Sequence, residues 1–129
     1  MQRVEDFMQS FLTTQTELQR DWLARSNSFY ETFYSEDCPA RKYRSFVLNP
    51  PEAVESIKSS ENSAEVITTG IKFHDRQYRH RYQLRANGAT WEIHDREIEC
   101  GVCNTTGKNK DGTSRCNVCK GVGWIGKNF

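Results

Sequence analysis

Four of the five cysteines in this 129-residue chain fall into two matched pairs, Cys100-Gly-Val-Cys103 and Cys116-Asn-Val-Cys119, with twelve residues between them. Zn²⁺ favours four soft ligands in a tetrahedron, and each C-x₂-C turn supplies two adjacent thiolates. Backbone amides on such turns point at the sulfurs and support their charge. Gly107, Gly121 and Gly123 follow the pairs and allow the chain to turn closely. A redox dithiol comes once, at the start of a helix, rather than as a symmetric pair. The spacing therefore predicts one structural zinc on Cys100, Cys103, Cys116 and Cys119, with no coordination position open for catalysis. The stretch from Lys108 to Arg115 reads as a polar loop between the knuckles, with Asp111-Gly112 as its turn. Cys38, before Pro39, has no base beside it in sequence and reads as an unremarkable thiol.

A second group of candidates lies on one alternating segment, 76–86. Tyr78, His80 and Tyr82 share one face with Leu84 and Ala86, and Arg79, Arg81 and Arg85 share the other. With Trp91, the Tyr/His face could line a pocket and polarise a carbonyl. No Asp or Glu stands in that register, so the acid/base set is incomplete on this strand. Residues that fill a core with their polar ends hydrogen-bonded are the simpler reading. The arginine face could serve a protein interface or a nucleic acid. Glu92, Glu97 and Glu99 on the following segment can pair across with it, which favours a salt-bridged sheet face. His74-Asp75 and His94-Asp95 are sequence neighbours that point to opposite faces, so neither pair forms a dyad.

The elements that must position these groups begin with a long helical stripe. Val4, Phe7, Met8, Phe11 and Leu12 recur at helical spacing, and Leu18, Trp22, Phe29 and Phe33 continue it. Thirty residues is long for one helix, so the spacing predicts a bend near Ser26-Asn27-Ser28, with Ser26 or Asn27 as a cap. A short strand is expected over 43–48 and a short helix over 51–59, opened by Asn49-Pro50-Pro51. Three strands follow at 64–74, 76–86 and 89–98. Gly70 marks a bulge and Asn87-Gly88 a hairpin turn. Helices followed by antiparallel strands make an α+β domain with the helices on one side of a curved sheet.

That order, with the closing Tyr82-Gln-Leu-Arg and Asn-Gly-Ala-Thr-Trp91-Glu-Ile93 segments, resembles the nuclear transport factor 2-like family, the cone fold of ketosteroid isomerase and scytalone dehydratase. The resemblance implies a cone over residues 1–98 and sets 99–129 apart as a zinc ribbon. In the ribbon, Cys116-Asn-Val-Cys119-Lys-Gly121-Val-Gly123 resembles one C-x-x-C-x-G-x-G unit of the DnaJ-type finger. The first pair departs from it, with Thr105 at the inner glycine. No His-Pro-Asp motif is present, so the likeness implies no chaperone activity. Trp124 and Ile125 are expected to pin the ribbon to the cone.

Composition bounds the function. The chain is 36% hydrophobic and 27% charged with a net charge of +1, and its aromatics suffice for a core. Residues 1–99 carry 13 Lys/Arg against 16 Asp/Glu, and residues 100–129 carry 5 against 1. Four thiolates and a Zn²⁺ add −2 to that tail, leaving little call for a nucleic-acid or membrane partner. No membrane-length apolar run or basic signal sequence is seen, which suits a cytoplasmic protein with reduced thiols. The expected function is a non-enzymatic, zinc-containing protein-binding module, with a homodimer as a further option. Its small cytoplasmic character is similar to cone-fold bacterial immunity proteins, which implies a partner toxin. The alternatives are a small-molecule-binding or isomerase/dehydratase-like cone pocket and a nucleic-acid-binding ribbon.

Overall fold

The computed structural model describes residues 1–18, 22–39, 52–73, 76–100, 107–108, 114 and 122–125. Two helices, α1 (Val4–Leu18) and α2 (Trp22–Phe33), precede five strands: β1 (Ala53–Ser59), β2 (Ser63–Phe73), β3 (Arg76–Asn87), β4 (Thr90–Glu99) and β5 (Trp124–Ile125). The strands form one antiparallel sheet in the order β1-β2-β3-β4-β5. The α+β class expected from the sequence is therefore correct. No helix among the described residues is long and apolar enough to cross a membrane.

The helical stripe is carried by two helices, α1 and α2. The expected bend at 26–28 is a correction: those residues lie inside α2, Trp22–Phe33. Glu5 and Asp6 in the first turn of α1 suit the positive end of its dipole. The stripe of α1 buries Val4, Phe7, Met8 and Phe11, and α2 adds Phe29, Tyr30 and Phe33. Phe11 is the hub. Its ring lies 5.2 Å from Tyr82, 5.4 Å from Phe33, 5.5 Å from Phe29 and 5.8 Å from Tyr34. Ala64, Val66, Leu84, Trp91 and Ile93 close this core from the sheet.

The expected helix over 51–59 is also a correction, since Ala53–Ser59 is a strand. Proline before the segment suggested a helix start, but Val54 and Ile57 are β-branched and pairing with β2 decides the outcome. Ile57 stands opposite Val66, and the register shifts between Val54 and Ser56. The bulge expected at Gly70 is present as a shift between Thr68 and Ile71. In the β3–β4 hairpin Asn87 pairs with Thr90, so Gly88 and Ala89 make the turn. Gly88 takes a φ of 62°, a conformation that glycine adopts without the Cβ penalty.

A second shift, between Gln83 and Leu84, sets Ile93 opposite Leu84 but Asp95 opposite Gln83, leaving His94 as the extra residue of β4. Strict alternation from Trp91 and Ile93 would turn Asp95 and Glu97 into the core. The bulge instead places Arg96 opposite Tyr82 and buries it. The far edge of β4 is covered in two places. Ser35 N–H donates to the Ile93 carbonyl at 2.8 Å, and β5 pairs Ile125 with Ile98 and Trp124 with Glu99. The chain beginning is tied down as well, with Trp91 Nε1–H donating to the Gln2 carbonyl at 2.8 Å. The strand expected at 43–48 lies outside the described residues.

Candidate functional site

The two faces of β3 carry the two sets of candidate residues, and alternation separates them as the sequence suggests. On the helix-covered face, Tyr82 is 0% and His80 1% exposed, and Trp91 is buried at 5%. Tyr78 is half-buried. The carboxylate missing from this strand arrives from elsewhere in the chain. Glu52, just before β1, turns inward with its side chain 1% exposed. Its Oε2 accepts from Thr68 Oγ1 at 2.6 Å and from the Tyr82 hydroxyl at 2.8 Å. Its Oε1 accepts from Gln15 Nε2 at 2.9 Å and lies 3.3 Å from His80 Nδ1. Four residues from three elements, α1, β2 and β3, thus converge on one carboxylate.

Burial alone would raise the Glu52 carboxyl. The neighbouring His80 and the donors Thr68 and Gln15 outweigh it and hold the group well below the usual carboxylate range. Burial pushes the His80 imidazole below its ordinary value, against the pull of Glu52. Burial, reinforced by Glu52, pushes the Tyr82 hydroxyl well up. An ionised carboxylate satisfied by this many donors is a stable acceptor and a poor proton acceptor for chemistry. Beside it, Arg96 Nη1 donates to the Tyr34 hydroxyl at 3.1 Å. Glu52 also lines a groove of about 460 Å³ between α1 and β1, with Gln9, Leu12, Thr13 and Ile57 among its walls.

On the opposite face of β3 the arginines meet the expected glutamates. Arg81 donates through Nε and Nη2 to the two carboxylate oxygens of Glu97 at 3.0 and 2.7 Å. Arg79 Nε lies 3.5 Å from Glu99, whose Oε1 also accepts from the Arg79 backbone N–H at 2.9 Å. Arg85 donates to Glu92 and, at 2.8 and 3.0 Å, to Asp37. A feature beyond the strand pairing is the indole of Trp124, which lies against this row. The guanidinium carbon of Arg81 is 4.9 Å and that of Arg79 5.6 Å from its ring centre. Each of the two guanidiniums is therefore flanked by a carboxylate and an aromatic face, an arrangement that suits the planar arginine and not lysine.

Of the four candidate zinc ligands, Cys100 is described and buried, whereas Cys103, Cys116 and Cys119 lie outside the described residues. Among the described residues no group of three or more His, Cys, Asp or Glu could hold a metal. The residues framing the two pairs are informative. Cys100 N–H donates to the Gly123 carbonyl at 2.9 Å, so the chain leaves and rejoins the sheet at one place. Gly107 and Gly123, each four residues after the second cysteine of its pair, take φ values of 74° and 89°. The two halves of the tail share a left-handed glycine at equivalent positions. Gly121, most of the 108–115 loop, and the His74-Asp75 pair lie outside the described residues. His94 and Asp95 sit at the β4 bulge and are partly exposed. Cys38 is buried at 1% within the core, which fits an inert thiol.

Comparison with protein families, with curated proteins and with solved structures finds no match to this chain.

Proposed function

We propose that this protein is a non-enzymatic binding module, a cone-type α+β domain with a C-terminal zinc ribbon, and that it recognises a protein partner through the open face of its sheet. The observation that carries this reading is the Arg79–Arg81–Trp124 stack, extended by Arg85. Arginine and tryptophan are the residues on which protein interfaces concentrate binding energy. Here they are already ordered, with side-chain exposures of 32% for Arg79, 21% for Arg81 and 43% for Arg85. Side chains fixed before binding lose less entropy when a partner arrives.

Two observations support this reading over its rivals. Each arginine has a carboxylate of its own, so the patch is close to neutral, and the phosphate attraction that drives nucleic-acid binding is weak. The Tyr/His face is packed beneath Phe11 and Tyr34, and its carboxylate is saturated with donors, so an isomerase- or dehydratase-like pocket lacks a base. Zinc on Cys100, Cys103, Cys116 and Cys119 is part of the proposal, supported by the closed loop from Cys100 to Gly123 and the matched glycines. The likeness to cone-fold immunity proteins gives the partner its form, a toxin.

The test is affinity capture from the native host with the wild type and Arg85→Glu as baits, beside metal analysis of both. One protein retained by the wild type and at least tenfold depleted on the variant supports the reading. A metabolite found among His80, Tyr82 and Trp91 in a crystal overturns it.

A further inference from the structure

The arginine row on the open face of the sheet is held by more carboxylates than it needs. Arg79 lies 3.5 Å from Glu99 on β4 and 3.4 Å from Glu55 on β1. Arg85 meets Glu92 on one side and Asp37, at 2.8 Å, on the other. Arg81 takes Glu97. One rung along β4, Asp95 stands opposite Gln83 on the same face and makes no ion pair among the described residues. Six carboxylates thus accompany three arginines. Lys58 and Glu65 stand opposite each other in the β1–β2 register and cancel. The chain as a whole carries a net charge of +1, so the negative excess belongs to this face and not to the protein at large.

Hydrogen-bonding capacity is uneven in the same direction. Arg85 donates through Nε, Nη1 and Nη2, and Arg81 through Nε and Nη2. A carboxylate offers about four acceptor sites, more than these contacts fill. The side chains of Asp37 and Glu55 are 64% and 46% exposed, so their remaining sites face solvent. Partial burial and the neighbouring Glu97 raise the Asp95 carboxyl above its ordinary value, and a cation placed beside it would relieve that repulsion. Asp95, Glu97 and Glu99 recur along β4 at about 7 Å, which is also the spacing of alternate side chains on an extended partner segment.

We infer that the partner met by this face is a basic protein surface, whose lysines or arginines reach Asp37, Glu55 and Asp95. This rests on the protein-binding reading of the face and adds the charge of the partner. The negative excess steers a cationic partner inward and opposes an acidic one. Arg85 fixes both Glu92 and Asp37, so Arg85→Glu releases two of the six carboxylates and disorders the site even though it adds negative charge.

The experiment measures binding of the full-length protein to two synthetic probes, a peptide of alternating Lys and Thr and its Glu–Thr counterpart. The lysine peptide should bind roughly tenfold tighter than the glutamate peptide, and added salt should narrow the difference. Asp37→Asn/Glu55→Gln/Asp95→Asn should weaken the lysine peptide roughly tenfold with its melting temperature little changed. Glu5→Gln/Glu31→Gln/Glu61→Gln removes the same charge from exposed sites elsewhere and should leave binding within about twofold. A lysine peptide bound equally by both triple variants, or no more tightly than the glutamate peptide, overturns the inference. An Arg85-dependent host protein found beside that result leaves the protein-binding reading standing, and absence of any such protein overturns both.

Discussion

On the helix-covered side of β3, Tyr82 and His80 hold a carboxylate that is 1% exposed, beneath Phe11 and Tyr34. On the open side of the same strand, one residue away, Arg79 and Arg81 hold carboxylates at the solvent boundary beneath a single indole. Both faces are built from ion pairs and aromatic rings, yet their energetics differ. Inside, every polar group depends on its partner because no water can replace it. Outside, the arginines are 21–43% exposed, so water reaches that side of each pair and the pair contributes less to stability. A buried network of this kind fixes a structure, and an exposed ordered row is free to meet another molecule.

The comparison can be broken by mutation, and the inner face should respond most. Phe11→Ala removes the ring that touches Phe29, Phe33, Tyr34 and Tyr82, and should cost about 3–5 kcal/mol in chemical denaturation. Glu52→Ala strands the Thr68, Gln15 and Tyr82 donors and should cost about 3 kcal/mol, read the same way. On the outer face, Trp124→Ala should cost about 1–2 kcal/mol through two lost cation–π contacts and some packing. Arg81→Gln should cost about 1–2 kcal/mol, because Glu97, a side chain only 12% exposed, loses both charged donors. An outer variant that destabilises more than Glu52→Ala would undo the distinction.

The inner cluster also sets a pH dependence. Glu52 and His80 both have folded-state values below their ordinary ones. In each case the unfolded chain binds the proton first as pH falls, so the native state loses stability in acid. For His80 the loss begins below about pH 6.5 and for Glu52 below about pH 4.3, the unfolded values. Denaturation midpoints followed from pH 8 to pH 3 should therefore fall, and Glu52→Gln should flatten the lower part of that profile. A midpoint that rises toward acid would contradict the assignment of both groups.

Much of this contrast is legible in the sequence, because strand alternation is a local signal. It separates Tyr78, His80 and Tyr82 from Arg79, Arg81 and Arg85, matches the arginines to Glu92, Glu97 and Glu99, and marks Trp124 as a pin. Glu52 is different. Its partners lie 37, 16, 28 and 30 residues away, at Gln15, Thr68, His80 and Tyr82, and no spacing rule connects them. Local proline chemistry also points to a helix over 51–59, and only long-range pairing with β2 makes Ala53–Ser59 the strand that Glu52 precedes. Arg96 left a fainter trace. Unbroken alternation after Ile93 would bury Asp95 and Glu97, and two acids in a core register are a sign of a bulge. Arginine behind an acid pair has no such signature of its own until the register is known.

The central claim is that recognition belongs to the outer row and structure to the inner cluster. Its most direct test is affinity capture from the native host with three baits: the wild type, Tyr82→Phe and Trp124→Ala. Tyr82→Phe removes the hydroxyl that bonds Glu52, and Trp124→Ala removes the indole over Arg79 and Arg81. The account predicts one partner protein held equally by the wild type and Tyr82→Phe, and lost from Trp124→Ala while its circular dichroism stays native. A partner lost from Tyr82→Phe and retained by Trp124→Ala would contradict it.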